Sequence, residues 1–508
     1  MQQPGSEALG SAGVRASRAP FILTAVAILL YAATFATMGV LQYRAGNVKY
    51  VDTANFEEML WRALHGQFLR CSLYGHCFLG EHVQVIHLLL LPVYAIYPSL
   101  ATLIVAQTVA LALGALPVYA LAVNVLRNRW LGAAFAVAYL LYTPMQMLNL
   151  EGGGAYNAFR PITFAVPLLL AAFYFLVRGR LVAFSVLAFL TLLCKEEFGL
   201  TLLMLGLYAA VILRRRAFGL AWAAVGLAWF VLSLQVVIPY FRGGASHTVG
   251  YYAQLGGSAG EVLWNVVAHP VRTFQIAFAP GKLEFLLILF LPVGFLCLLS
   301  PMRLAIAAPA LGVCLLSQRY ATYTPWFHYH APIVPFVFIA SVYGMRNLWR
   351  LASRGKATRR LAVLAMGGVL LVLCAVGTNV AYSKSPLSFR FYDPRSASSY
   401  QRLYVITPHA REIPDVVRLV PRDKRVSASL FLATFFTHHA AAYVFPQGFE
   451  EGQTKPPDYV VLDLQERWLF DSPQQREVLE KLEKSPDFER VPAPEGFLVL
   501  RRKSLESP

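Results

Sequence analysis

Long apolar stretches fill residues 21 to about 381, and short clusters of arginine and lysine punctuate them. Such stretches match the roughly 20 apolar residues that a helix needs to cross a bilayer. The clusters fall in alternate loops: Arg15 and Arg18, Arg127 and Arg129, Arg178 and Arg180, Arg214 to Arg216, Arg303, then Arg346 through Arg360. Cytoplasmic loops carry the excess of Lys and Arg, so these loops are read as facing the cytoplasm. The loops between them hold Asp52, Glu57, Glu58, Glu81, His82, Glu151, Glu196, Glu197, His328 and His330. One side is thus a basic anchor, and the other gathers groups able to do chemistry.

Composition agrees. The chain is 57% hydrophobic and 14% charged, against roughly a quarter charged in soluble proteins. Its net charge of +17 would suggest nucleic acid in a soluble protein. Here the basic residues lie at span ends, where they meet lipid headgroups and fix topology, so no nucleic-acid partner is expected. Residues 1–20 are rich in Gly, Ser and Ala and read as disordered. The apolar run from Phe21 is too long for a signal-peptide core and reads as an uncleaved anchor. Of six cysteines, Cys71 and Cys77 share the first outer loop and form either a disulfide or two free thiols.

About eleven spans follow from the pattern: 21–41, 99–124, 130–148, 161–177, 181–194, 198–213, 218–240, 284–300, 302–318, 331–349 and 361–381. The transmembrane domain is residues 21–382, with outer loops 43–98, 149–160, 241–283 and 319–330. Residues 52–65 read as an amphipathic helix with Phe56, Met59, Leu60, Ala63 and Leu64 on one face. With residues 82–97, it is expected to lie on the outer membrane surface. Loop 241–283 reads as a lid or substrate wall. From residue 383 to 508 charge rises, and strand-like runs at 425–429, 441–445, 459–464 and 496–500 flank a helix-like segment at 472–484. That alternation predicts a small α/β domain, extracytoplasmic if the span count is odd.

Five clusters carry candidate chemistry, each with a plainer reading. Asp52 either caps the helix after it or serves as a general base. Glu81-His82 is either a headgroup-level pair or part of a site; His87, five residues on, does not share a helical face with His82. Glu151, a run of three glycines, Tyr156 and Arg160-Pro161 form either a hairpin turn or a cradle whose backbone N–H groups and Arg160 hold phosphate. Lys195-Glu196-Glu197 is either a span end or a phosphate and sugar contact. His328 and His330, two apart in an extended chain, would face one ligand, or they belong to an aromatic belt.

The segments YVDTANFEEMLWRALHG, EHVQVIHLLLLPVYAIYPS, CKEEFGL and FHYHAPIVPFVF, in that order, resemble the bacterial membrane family catalogued as domain of unknown function 2079. The resemblance covers roughly residues 45–465. That family is grouped with the C-type glycosyltransferases, which use lipid-phosphate sugar donors and share an acidic residue in the first outer loop. Asp52 matches it by position, and Glu81-His82 and Lys195-Glu196-Glu197 match the family's acidic-His and Lys-Glu-acid patterns. The second outer loop departs: an Asp-Phe-His-Pro-Glu-like stretch is replaced by Tyr156-Asn157-Ala158-Phe159-Arg160-Pro161.

The expectation is therefore a mainly α, polytopic transmembrane bundle with a small C-terminal α/β domain, in a bacterial inner membrane. The resemblance implies a glycosyltransferase that moves a sugar from a polyprenyl-phosphate donor to an acceptor on the outer face. Asp52 is the base, and Arg160, Lys195, Glu196, Glu197, His328 and His330 contact the donor. Glu81, His82, Glu151 and Tyr156 support them. A divalent metal on Asp52, Glu81 and His82 stays open, as do sugar, acceptor and oligomeric state. The rivals are a transporter or flippase, which would place charges near the midplane on broken helices, and a non-catalytic envelope assembly protein.

Overall fold

A computed structural model describes residues 17–150, 157–244, 247–353, 357–449, 456–466, 469 and 472–503. Four of its helices are long and apolar enough to cross a membrane: Ala19–Arg44, Leu100–Leu126, Arg216–Arg242 and Ala362–Tyr382. Two bent pairs add one crossing each if each pair is one span: Arg129–Leu140 with Thr143–Leu150, bent by 44°, and Pro270–Ala277 with Pro280–Val293, bent by 65°. Local chemistry sets the ends. Pro20 starts the first helix and Arg44 lies in its last turn, where a cation meets the negative end of the helix dipole. Asn128 caps its helix by accepting from Trp130 N and Leu131 N.

Length and composition therefore support four to six crossings among the described residues, fewer than the sequence pattern suggested. Four expected spans are the short helices Pro161–Val177, Leu181–Leu192, Phe198–Val211 and Pro301–Leu316. At 1.5 Å per residue the second of these is about 18 Å long, well short of the ~30 Å hydrocarbon layer. Apolar runs alone do not separate a span from a shorter helix buried in a bundle.

The helices Phe198–Val211 and Arg216–Leu232 cross on glycine. A Cβ at Gly219 would sit 2.4 Å from Ala210 N, and one at Gly206 would sit 2.5 Å from Ala223 N. Backbone cannot yield there as a flexible side chain would. Gly219→Val is expected to split this helix pair, costing at least about 1–3 kcal/mol. Melting of the detergent-solubilised protein checks this; an unchanged melting temperature would refute the close crossing.

The C-terminal region carries a five-stranded sheet: β1 Arg425–Ala428, β2 Ala441–Val444, β3 Tyr459–Asp463, β4 Phe488–Val491 and β5 Phe497–Arg502. The order is β2-β1-β3-β5-β4. β1 runs parallel to β2 and β3, while β5 runs antiparallel to β3 and β4. β3 is central and apolar (Tyr-Val-Val-Leu-Asp), and its first four residues are buried, as a strand covered on both faces requires. Helix Pro473–Lys484 packs Leu479 and Leu482 on one face. The α/β character expected from the sequence is present.

This sheet and the segment 48–60 share one core. Val48, Tyr50, Phe56, Met59 and Leu60 cluster with Val426, Ala428, Leu432, Phe436 and Val461. The apolar face of helix Asn55–Leu64, expected to rest on the membrane surface, packs instead against the C-terminal region. The polar face of the helix is buried too. Glu57 accepts from Tyr94 Oη and lies 2.6 Å from His438 Nε2, and Trp61 stacks on His438 with centroids 4.0 Å apart. Glu58 takes Arg62 Nε at 2.6 Å, Ser72 Oγ at 2.6 Å and the Tyr50 hydroxyl. Main chain completes the join, with Tyr50 N donating to Leu430 O at 3.1 Å. In loop 241–283, helices Ala259–Ala268 and Pro270–Ala277 expose Leu263, Trp264, Val267, Val271 and Phe274.

Candidate active site

A cavity forms where four separate segments meet, lined by Asp52, Tyr74, His82, Gln84, Arg160, Lys195 and His328 over a floor of Phe56, Phe78, Pro161 and Ile162. Asp52 has a left-handed backbone, φ 65°, ψ 9°. That region is uncommon outside glycine and easiest for Asn and Asp. The following helix begins after Ala54, with no side-chain cap. Asp52 is therefore not its N-cap; the kink turns the carboxylate to the cavity, where its side chain is 43% exposed. Arg160 Nη2 donates to Asp52 Oδ2 at 3.2 Å.

Arg160 is held from behind. Gln107, buried within the apolar helix Leu100–Leu126, accepts from Arg160 N at 2.6 Å and from Thr163 Oγ1 at 3.1 Å, and donates to Ala158 O at 3.2 Å. Residue 160 is extended, as a residue before proline prefers, and Pro161 opens a short 3₁₀ turn. Thr53 Oγ1 donates to Asn157 Oδ1 at 2.8 Å, joining the Asp52 loop to the Arg160 loop. The Arg160 backbone N–H, expected to meet a phosphate, is spent on Gln107; the guanidinium remains at the cavity.

Elsewhere in the lining, Lys195 Nζ lies 3.0 Å from Glu197 Oε2 and 5.7 Å from the Tyr329 ring centroid. Burial works against its charge, but Glu197 and Glu196 outweigh burial and hold the ammonium above its ordinary range. Glu196 turns away, taking His82 Nδ1 at 2.9 Å and Val83 N at 3.0 Å. Burial would raise this carboxyl, yet His82 and Lys195 push it down to about 2. A carboxyl depressed in the fold contributes stability above its ordinary value near 4.5 and loses it as pH falls through about 2. Glu196→Gln is expected to lower the melting temperature by a few degrees at neutral pH, and the gap to the parent should close across that acid window. A pH-independent gap would show that the charge does not matter.

Of the remaining sequence candidates, Glu81 lies outside the cavity lining: Arg242 Nη1 grips both its oxygens at 3.1 Å, and His76 Nε2 sits 2.9 Å away. His330 departs from its partner. Residues 328–330 form a 3₁₀ turn rather than an extended run, so residues two apart point to different sides. His328 lines the cavity while His330 Nε2 reaches Pro144 O at 2.8 Å in the core. Glu151 and Tyr156 lie outside the described residues. Among the described residues, no three His, Cys, Asp or Glu side chains gather as a ligand set; Asp52, Glu81 and His82 each face other partners. Cys71 and Cys77 are both free thiols.

Tyr74, Gln84 and Gln107 were missed from sequence. Tyr74 is held protonated by burial and then by the Asp52 carboxylate, so it offers a hydrogen-bond donor. Only Gln107 left a signal, a lone amide in an apolar run.

The fold and this cavity define a membrane protein with a polar pocket of mixed charge, walled by helix ends and by a loop under the C-terminal sheet. The chain belongs to the family described as "Predicted membrane protein (DUF2079)", which matches residues 50–499. It shares the fold of ArnT from Cupriavidus metallidurans, solved in the apo state, with TM-score 0.53 and 14% identity over 96% of this chain and 98% of that one. The archaeal oligosaccharyltransferase AglB from Archaeoglobus fulgidus, solved with an inhibitory peptide and a dolichol-phosphate, aligns at TM-score 0.44 and 12% identity, over 96% of this chain and 75% of that one. No curated protein matches the sequence.

Proposed function

We propose that this protein is an inverting membrane glycosyltransferase that moves a sugar from a polyprenyl-phosphate donor to an acceptor at the outer face of the bacterial inner membrane. The observation that carries this reading is that Asp52 and Lys195 line one cavity, with Arg160 paired to the acid. In the proposed step the acceptor oxygen attacks the anomeric carbon, and its proton passes to the Asp52 carboxylate. The bond from that carbon to the phosphate oxygen breaks, and the electron pair leaves with the phosphate. Arg160 and Lys195 offset the charge that develops there. Tyr74 and Gln84 supply neutral donors for sugar hydroxyls. The orientation rests on the alternation of arginine clusters, and the C-terminal region would then be outside.

The test is mass spectrometry of lipid extracted from the purified protein. A polyprenyl-phosphate sugar retained by the parent, and consumed when an acceptor-containing envelope extract is added, is the expected result. Retention without consumption would favour a carrier over a transferase, and absence of any lipid-linked sugar would sink both.

A further inference from the structure

A second cavity lies beside the first and shares no lining residue with it. The segment Trp326–His328 contributes to both: His328 lines the first, while Trp326 and Phe327 line the second. Three cations, Lys384, Arg390 and Arg395, line the second against one carboxylate, Asp393. That carboxylate already accepts from Arg395 N at 2.9 Å. The Lys384 ammonium sits 4.9 Å from the Trp326 ring centroid, and the Arg390 guanidinium 5.9 Å from it.

The pocket is built rather than incidental. Lys384 is only 2% exposed, and the chain on either side of it is pinned. Ser383 Oγ donates to Gln146 Oε1 at 2.8 Å, Ser385 Oγ donates to Asn379 Oδ1 at 2.6 Å, and Asn379 Nδ2 donates to the same Gln146 oxygen at 2.6 Å. A buried cation held this firmly favours an anion, because the lysine need not be ordered on binding. The surroundings indicate which anion. Leu387, Phe389 and Tyr392, on the same short segment, are all exposed. They follow directly on the apolar helix Ala362–Tyr382. Exposed apolar and aromatic side chains beside clustered cations at a helix end are the features that bind a lipid headgroup at a bilayer surface.

We propose that this second pocket is a binding site for an anionic phospholipid. Its phosphate is held by Lys384, Arg390 and Arg395, and its glycerol and upper acyl region rest against Leu387 and Phe389. The site does not depend on sugar transfer, since neither Asp52 nor Lys195 takes part in it.

The test uses the purified full-length protein in a neutral detergent and isothermal titration with dioctanoyl phosphatidic acid. Arg390 and Arg395 are exposed, so Arg390→Gln with Arg395→Gln keeps the fold. The parent is expected to show one saturable site, weakened roughly tenfold or more in that variant. A charge-matched control, Arg411→Gln with Arg418→Gln, exposed on helix Pro408–Arg418 and outside the pocket lining, should bind as the parent does. Inorganic phosphate should bind at least about tenfold more weakly than the lipid, lacking the apolar contact. Equal binding in the parent and the Arg390, Arg395 variant would overturn the site. Equal binding of phosphatidylcholine would overturn the anion requirement, and equal binding of inorganic phosphate would overturn the lipid assignment.

Discussion

Asp52→Asn is expected to lower turnover by about 10²-fold or more while leaving the protein as stable as the parent. The two halves of that expectation come from different physics. Asparagine tolerates the left-handed backbone that residue 52 adopts nearly as well as aspartate does. It also keeps an acceptor for Arg160, so the kink that faces the cavity survives. What it loses is the ability to take a proton from an acceptor hydroxyl. Melting in detergent and a turnover assay on the same preparation separate the two; before a donor is identified, complementation of a deletion strain serves as the readout. Full activity in Asp52→Asn would remove the base from the proposed reaction.

Lys195→Met should cost roughly 10²–10³-fold in kcat, the range seen when one group that stabilises developing negative charge is deleted from a site closed to water. Donor binding should weaken as well, because the resting phosphate already carries charge. Lys195 is the cleaner probe than Arg160. Arg160 pairs with Asp52, so its removal disturbs base and phosphate contact together. The partner that Lys195 abandons, Glu197, is 21% exposed and can be hydrated, so the fold should hold. A variant with parental kcat and parental donor KM would place the phosphate elsewhere.

Much of this cavity was legible in the sequence, for a reason that does not depend on any one motif. Ionisable groups in an apolar chain are costly unless they meet water or each other. Asp52, His82, Arg160, Lys195 and His328 share one cavity, and segregation by loop named all five, although Glu81 and His330 from the same loops stay outside it. What was not legible depended on local backbone. His330 was read as extended beside His328, and a 3₁₀ turn sends it into the core instead. Gln107 acts through backbone atoms some fifty residues away, and spacing cannot reveal that.

The fold shows the same division. Strands β1, β2, β3 and β5 were visible as apolar runs. β4, Phe488–Val491, was not, because Glu489 and Arg490 interrupt it and an edge strand needs only half an apolar pattern. Helix Asn55–Leu64 was visible as a helix but not as a buried one. Its carboxylates Glu57 and Glu58, which the sequence placed among the groups able to do chemistry, are instead taken up by His438, Tyr94, Arg62 and Tyr50.

The shared core of the segment around Asp52 and the sheet sets an order of assembly. A chain is made from its N-terminus at roughly 5–20 residues per second, so the loop around Asp52 waits roughly 20–80 s for its partners near residue 430. Until then Tyr50 lacks its main-chain acceptor on Leu430, and Glu57 lacks His438. Every residue that lines the cavity has been made by His328. A chain cut after that point would hold the whole lining and still lack the scaffold that bends Asp52 into place, so the earliest-made wall of the pocket is the last to set.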